Sequence, residues 1–107
     1  MNPQIKRLLK EIEDNNDKKI KVYSLPSCPA CNEYKGKLEK IGVIYENVNM
    51  EGDDDMWAKL EEMGGSEFVP QVMVEDYLIK EDEYTNINEL ISKTLTKMIG
   101  RKIVIKN

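Results

Sequence analysis

Cys28 and Cys31 are the only two cysteines of the chain, and Pro29 and Ala30 separate them. The thiolate is the nucleophilic form of cysteine, and a second thiol three positions on can attack the mixed disulfide that the first one makes. The spacing therefore suits a two-step exchange, attack and then resolution. Two other readings stand beside it: half of a metal site, and two small side chains that simply pack. A closed zinc site takes four ligands, yet the chain has no histidine and no third cysteine, so only carboxylates or a second chain could complete it. The same lack of histidine leaves no partner for a Cys-His hydrolase, and neither a Gly-rich phosphate loop nor a dinucleotide fingerprint occurs.

The elements that must position the pair bear on the choice. Residues 20–25, IKVYSL, carry β-branched and aromatic side chains and run into Pro26, which predicts a strand ending just before the cysteines. From Pro29 onward Cys31, Tyr34, Leu38 and Ile41 share one helical face, and Gly42 stands where a left-handed terminating residue is wanted. Cys28 thus falls at a helix start, where unpaired N–H groups and the helix dipole favour negative charge on its sulfur. Cys31 faces inward one turn deeper. Packing alone gives no reason for a proline and a strand-to-helix junction at this point.

The rest of the chain alternates in the same way. Ile5, Leu8, Leu9 and Ile12 predict an amphipathic helix over about 3–15, ended by Asn15-Asn16-Asp17. Residues 43–49, VIYENVN, read as a second strand. The helix after it opens on Asp53 to Asp55, packs through Met56, Trp57, Leu60 and Met63, and stops at Gly64-Gly65. QVMV and YLIK form a hairpin around Glu75-Asp76, a poor pair for a primed turn. Asn86 and Glu89 make a capping box for a last helix whose stripe is Ile87, Leu90, Ile91, Leu95 and Met98, closed by Gly100. KIVI, residues 102–105, either adds an edge strand or trails.

At 107 residues, with 40% hydrophobic and 34% charged residues, the composition is that of one soluble globular domain over 1–107. The first residues contain no uninterrupted apolar stretch, so neither a secretory signal nor a membrane span is expected and the cytoplasm is the default compartment. In a reducing compartment a close cysteine pair is more often catalytic or metal-binding than a permanent staple. A net charge of −4, with acid concentrated in EGDDD and KEDE, argues against nucleic acid as a partner. The short basic end, Arg101, Lys102 and Lys106, reads as a solvated tail.

Strand, CPAC, helix, strand, helix, FVPQVMV, strand and final helix, in that order, resemble the glutaredoxins of the thioredoxin-fold superfamily over about residues 20–98. CPAC is similar to that family's dithiol Cys-Pro-Tyr-Cys, and VPQV to its Thr-Val-Pro-Gln-Val segment. The resemblance implies an α/β thioredoxin fold: a four-stranded mixed sheet with helices on both faces, residues 1–19 adding an N-terminal helix and 99–107 a C-terminal extension. It implies Cys28 as nucleophile, Cys31 as resolving thiol, Pro70 as a cis-proline facing the active site, and the Val69 main chain as a strand-like partner for bound peptide or glutathione. Pro29 and Tyr34 join them as substrate-contacting residues. The activity so implied is thiol-disulfide exchange on protein or glutathione mixed disulfides, by a monomer with no bound cofactor and with glutathione as co-substrate. Ribonucleotide reductase is one such protein substrate, and glutathione or thioredoxin reductase would supply the electrons. The alternative is a non-catalytic binding module that bridges a metal or cluster between two copies through Cys28. The sequence departs from the family at three places: Leu25 stands where a Lys or Arg precedes the first cysteine, Ala30 replaces the tyrosine between the cysteines, and Lys80-Glu81 corresponds to a Gly-Gly pair. The buried Asp upstream of the cysteines in thioredoxin itself is here Val22.

Overall fold

A computed structural model describes residues 3–105. Its elements are α1 (Pro3–Asp14), β1 (Ile20–Ser24), α2 (Pro29–Lys40), β2 (Glu46–Asn49), α3 (Asp54–Glu62), β3 (Gln71–Val74), β4 (Tyr77–Ile79), a single 3-10 turn (Glu81–Glu83) and α4 (Ile87–Ile99). The strands form one mixed sheet in the order β2-β1-β3-β4. β1 runs parallel to β2, with Ser24 opposite Asn49, and antiparallel to β3, with Tyr23 opposite Gln71. β3 and β4 are the expected hairpin, Val72 opposite Ile79. This is the four-stranded mixed arrangement of a thioredoxin fold.

Alternation along the strands divides the core into two layers. Ile20, Val22, Val72, Val74 and Ile79 face Tyr34 and Leu38 of α2, Leu90 and Leu95 of α4 and Ile12 of α1. Tyr23 and Leu78 turn the other way, to Leu60 of α3 and to Met50, with Trp57 and Met73 packed beside them. Leu60 is the one fully buried residue of α3, so the second layer is the thinner. No helix among the described residues is long and apolar enough to cross a membrane.

Four local expectations change. The second strand begins at Glu46, because the Val43 amide donates to Leu38 O at 3.0 Å in closing α2 and the Ile44 amide donates to Asn16 Oδ1 at 3.1 Å. The capping box is half made: Asn86 Oδ1 accepts from the Glu89 amide at 2.8 Å, but the Glu89 carboxylate accepts from the Thr85 amide at 2.7 Å, one residue before the cap. KIVI is not a strand. α4 hydroxyls take its amides instead, Ile103 donating to Thr96 Oγ1 at 2.9 Å and Ile105 to Ser92 Oγ at 2.8 Å, and Ile103 is buried in the core. Arg101 is no free tail residue either, since its Nε donates to Glu11 of α1 at 3.2 Å. Lys106, the last of that basic group, lies outside the described residues. The hairpin turn puts Glu75 at φ 54°, and its amide donates to Lys19 O at 2.7 Å, so the residue just before β1 supplies the hold that the turn residues lack.

Candidate active site

Because β1 and β2 are parallel and β3 is antiparallel to β1, the loop after Ser24, the loop after Asn49 and the loop before Gln71 all gather at one end of the sheet. Both cysteines lie there. Cys28 is the N-cap of α2 in extended conformation, φ −93° and ψ 107°, with Pro29 in the first helical position. Its amide closes a turn onto Leu25 O at 3.2 Å, and its carbonyl accepts the first helical bond from Asn32 N at 3.1 Å. Its sulfur accepts from the Cys31 amide at 3.0 Å, which is how a helix N-terminus holds an anion.

Cys28 and Cys31 form a disulfide with Cα atoms 5.2 Å apart. The two sulfurs differ in access, Cys28 being half-buried and Cys31 wholly buried under α2. Opposite them the Val69–Pro70 bond is cis, and Val69 O lies 3.9 Å from Cys28 Sγ. The Val69 amide has no hydrogen-bond partner among the described residues, which leaves a main-chain donor open beside the disulfide. Pro70 is buried, Val69 half-buried and Pro29 exposed. Cys28, Pro29, Cys31, Val69 and Pro70 thus lie together at this end of the sheet.

Tyr34 is not with them. It is fully buried in the core, and its hydroxyl bonds Thr94 Oγ1 of α4 at 2.7 Å. Burial pushes its phenol well above the ordinary tyrosine range, with a smaller opposing effect of the Thr94 bond. It faces inward because it follows Cys31 on the apolar stripe of α2, so this side chain packs the site helix against α4. Leu25, where a cation was absent, joins the layer beneath α3.

Three further residues shape the rim without any spacing signal in the sequence. Gln71 is buried, and its Nε2 donates to Ser66 O at 2.9 Å, tying down the loop that delivers Val69. Phe68 is exposed immediately before Val69. Lys35, one turn beyond Cys31, donates to Asn47 Oδ1 at 3.1 Å and lies 3.4 Å from Ser24 Oγ, linking α2 to the ends of β1 and β2. Two grooves, about 390 Å³ between α3 and the sheet and about 370 Å³ beside β2, are lined by neither cysteine.

A glutaredoxin family model matches residues 20–79, from the start of β1 to the end of β4. Glutaredoxin 1 of Rickettsia typhi is 34% identical over 59 residues, 53% of this chain and 57% of that protein. The chain thus spans little more than half the length of that curated relative. A glutaredoxin-like 8.6 kDa protein of the rubredoxin operon of Clostridium pasteurianum is 27% identical over 74 residues, 69% of this chain and 99% of that protein. Among solved structures, a buckwheat glutaredoxin–glutathione complex aligns at TM-score 0.58 with 17% identity, covering 98% of this chain and 99% of the other. The holo form of glutaredoxin C1 from Populus tremula x tremuloides aligns at 0.59 with 22% identity, covering 87% and 94%. These similarities at low identity speak for the fold, whereas the family model covers more than half of the 107 residues and includes both cysteines and the cis-proline. The chain belongs to the glutaredoxin family.

Proposed function

We propose that the chain is a monomeric thiol-disulfide oxidoreductase of the cytoplasm that reduces protein or glutathione mixed disulfides. The observation that carries this reading is the unequal placement of the two sulfurs: Cys28 half-buried at the helix N-terminus with the Cys31 amide aimed at it, Cys31 buried behind. In the reduced form the Cys28 thiolate attacks a substrate disulfide. A bond forms between Cys28 Sγ and one substrate sulfur, the substrate S–S bond breaks, and the leaving sulfur takes up a proton. Cys31, having lost its proton, then attacks Cys28 Sγ, which closes the Cys28–Cys31 disulfide and releases the second substrate thiol. Two electrons pass from the dithiol to the substrate. They return from two glutathione molecules, which leave as one disulfide, or from thioredoxin reductase. An open Val69 amide supports an extended substrate backbone laid beside Pro70. Ribonucleotide reductase is a partner of suitable chemistry.

The test is reduction of a mixed glutathione disulfide by the purified protein, once with glutathione and glutathione reductase and once with thioredoxin reductase, following NADPH. Turnover in either arm names the electron source. Cys28→Ser abolishes turnover, and Cys31→Ser accumulates a mixed disulfide on Cys28. Equal activity of Cys28→Ser and the parent refutes the enzyme reading and favours a binding module.

A further inference from the structure

Phe68 is a large apolar side chain left open next to the reactive pair. It is 67% exposed, and it directly precedes Val69, whose carbonyl oxygen is 3.9 Å from Cys28 Sγ. Its loop is held in place. The Phe68 amide donates to Ser66 Oγ at 3.2 Å, Gln71 grips Ser66 O, and Gly65 is packed so closely that an added Cβ would stand 2.9 Å from Leu60 O. A ring fixed at this point and turned to solvent brings the free protein no burial, whereas a substrate side chain laid on it would remove apolar surface from water.

Charge at the same end of the sheet is mostly acidic, Lys35 being held there by Asn47. The connections leaving β2, entering β3 and leaving β4 carry the exposed Glu51, Glu67, Glu81 and Asp82, and α3 opens there on Asp54 and Asp55. Lys80 is the one basic residue in those three connections. Such a rim favours approach of cationic segments and opposes anionic ones.

We propose that the preferred substrate is a disulfide in an extended protein segment whose residue next to the target cysteine is apolar and covers Phe68, with basic residues further along that face the acidic rim. Glutathione, net anionic and without an apolar side chain, is the poorer partner. The proposal rests on the exchange activity above and uses the same two-electron step, with the Cys28–Cys31 dithiol oxidised and the segment's disulfide reduced to two thiols.

The test mixes pre-reduced, desalted protein with peptide disulfides in which Leu or Gly flanks the cysteine and Lys or Glu lies beyond, with a glutathione mixed disulfide, and with the small neutral bis(2-hydroxyethyl) disulfide as a probe of exchange itself. The Leu-Lys peptide reacts about tenfold faster than the Gly-Glu peptide, about threefold of it from Leu over Gly, and Phe68→Ser abolishes that Leu-over-Gly preference through the half-saturating concentration and not the limiting rate. Phe68→Leu keeps most of the preference, and added salt narrows the advantage of Lys over Glu. A parent that exchanges with the neutral probe but treats Leu and Gly alike, or a Phe68→Ser variant with its preference intact, overturns this proposal and leaves the exchange activity standing. A parent that favours Glu over Lys overturns it as well. No exchange with any substrate overturns the activity itself, and the preference with it.

Discussion

The bond between Tyr34 and Thr94 ties the helix that bears the cysteines to α4, and its two ends differ in what they leave behind when cut. Both residues are fully buried. Thr94 Oγ1 donates its single proton to Leu90 O at 2.7 Å, so at the 2.7 Å contact with Tyr34 it is the tyrosine that donates. Tyr34→Phe removes that donor while Thr94 keeps its bond to Leu90, which costs about 1 kcal/mol. Thr94→Val, equal in volume and similar in helix propensity, strands the phenol in the core without an acceptor and costs about 2 kcal/mol, since a buried donor deprived of its partner loses its full desolvation cost. The double variant has no polar group left to strand. It therefore falls close to Tyr34→Phe alone, a coupling of about 1–2 kcal/mol. Urea denaturation of the four proteins, all held in the same redox state, measures each difference. If Tyr34→Phe proves as costly as Thr94→Val, or the two costs simply add, the assigned donor direction and the dry environment are both wrong.

Burial raises the Tyr34 phenol far above its unfolded value near 10, so above pH 10 the unfolded chain loses a proton that the folded chain keeps, and stability falls as pH rises. Tyr45, beside Glu39, is pushed up to about 12 by burial and by that carboxylate and adds to the same decline; a urea midpoint series from pH 9 to 11 shows it, shallower in Tyr34→Phe. Gly65→Ala destabilises by about 1–3 kcal/mol, because its Cβ would meet Leu60 O at 2.9 Å and Leu78 Cδ2 at 3.1 Å and the first of these is backbone; thermal unfolding reads the loss. Asn86→Ala removes the acceptor of the Glu89 amide and lowers stability by about 1 kcal/mol in the same assay.

The parts of the fold visible in the sequence are those set by short-range pattern. The stripe Cys31, Tyr34, Leu38 and the glycine after it delimit α2 almost to the residue, and Gly42 takes the left-handed φ of 85° that its place called for. Cys28 at a helix start was legible for the same reason. What was not legible depends on partners distant in sequence. Nothing in VIYENVN shows that Asn16, 28 residues away, takes the Ile44 amide and delays the strand. Nor does KIVI reveal that α4 hydroxyls claim its amides before a sheet edge can. Tyr34 is instructive in another way: its spacing already put it on the buried stripe, and only analogy moved it to the substrate side. Phe68 had no periodicity to mark it, because its importance comes from standing next to Val69 in space at the rim.

The Glu11–Arg101 pair and the burial of Ile12 in one core cluster with Leu95 and Met98 have a consequence for how the chain is made. α1 leaves the ribosome well before the helix it rests on. Between completion of Asp14 and of Ile99, 85 residues must be added, roughly 4–17 s at about 5–20 residues per second. Through that interval the apolar side of α1, with Leu8 and Ile12, lacks the surface that α4 supplies, and a chaperone that holds short amphipathic helices would find it before α4 does.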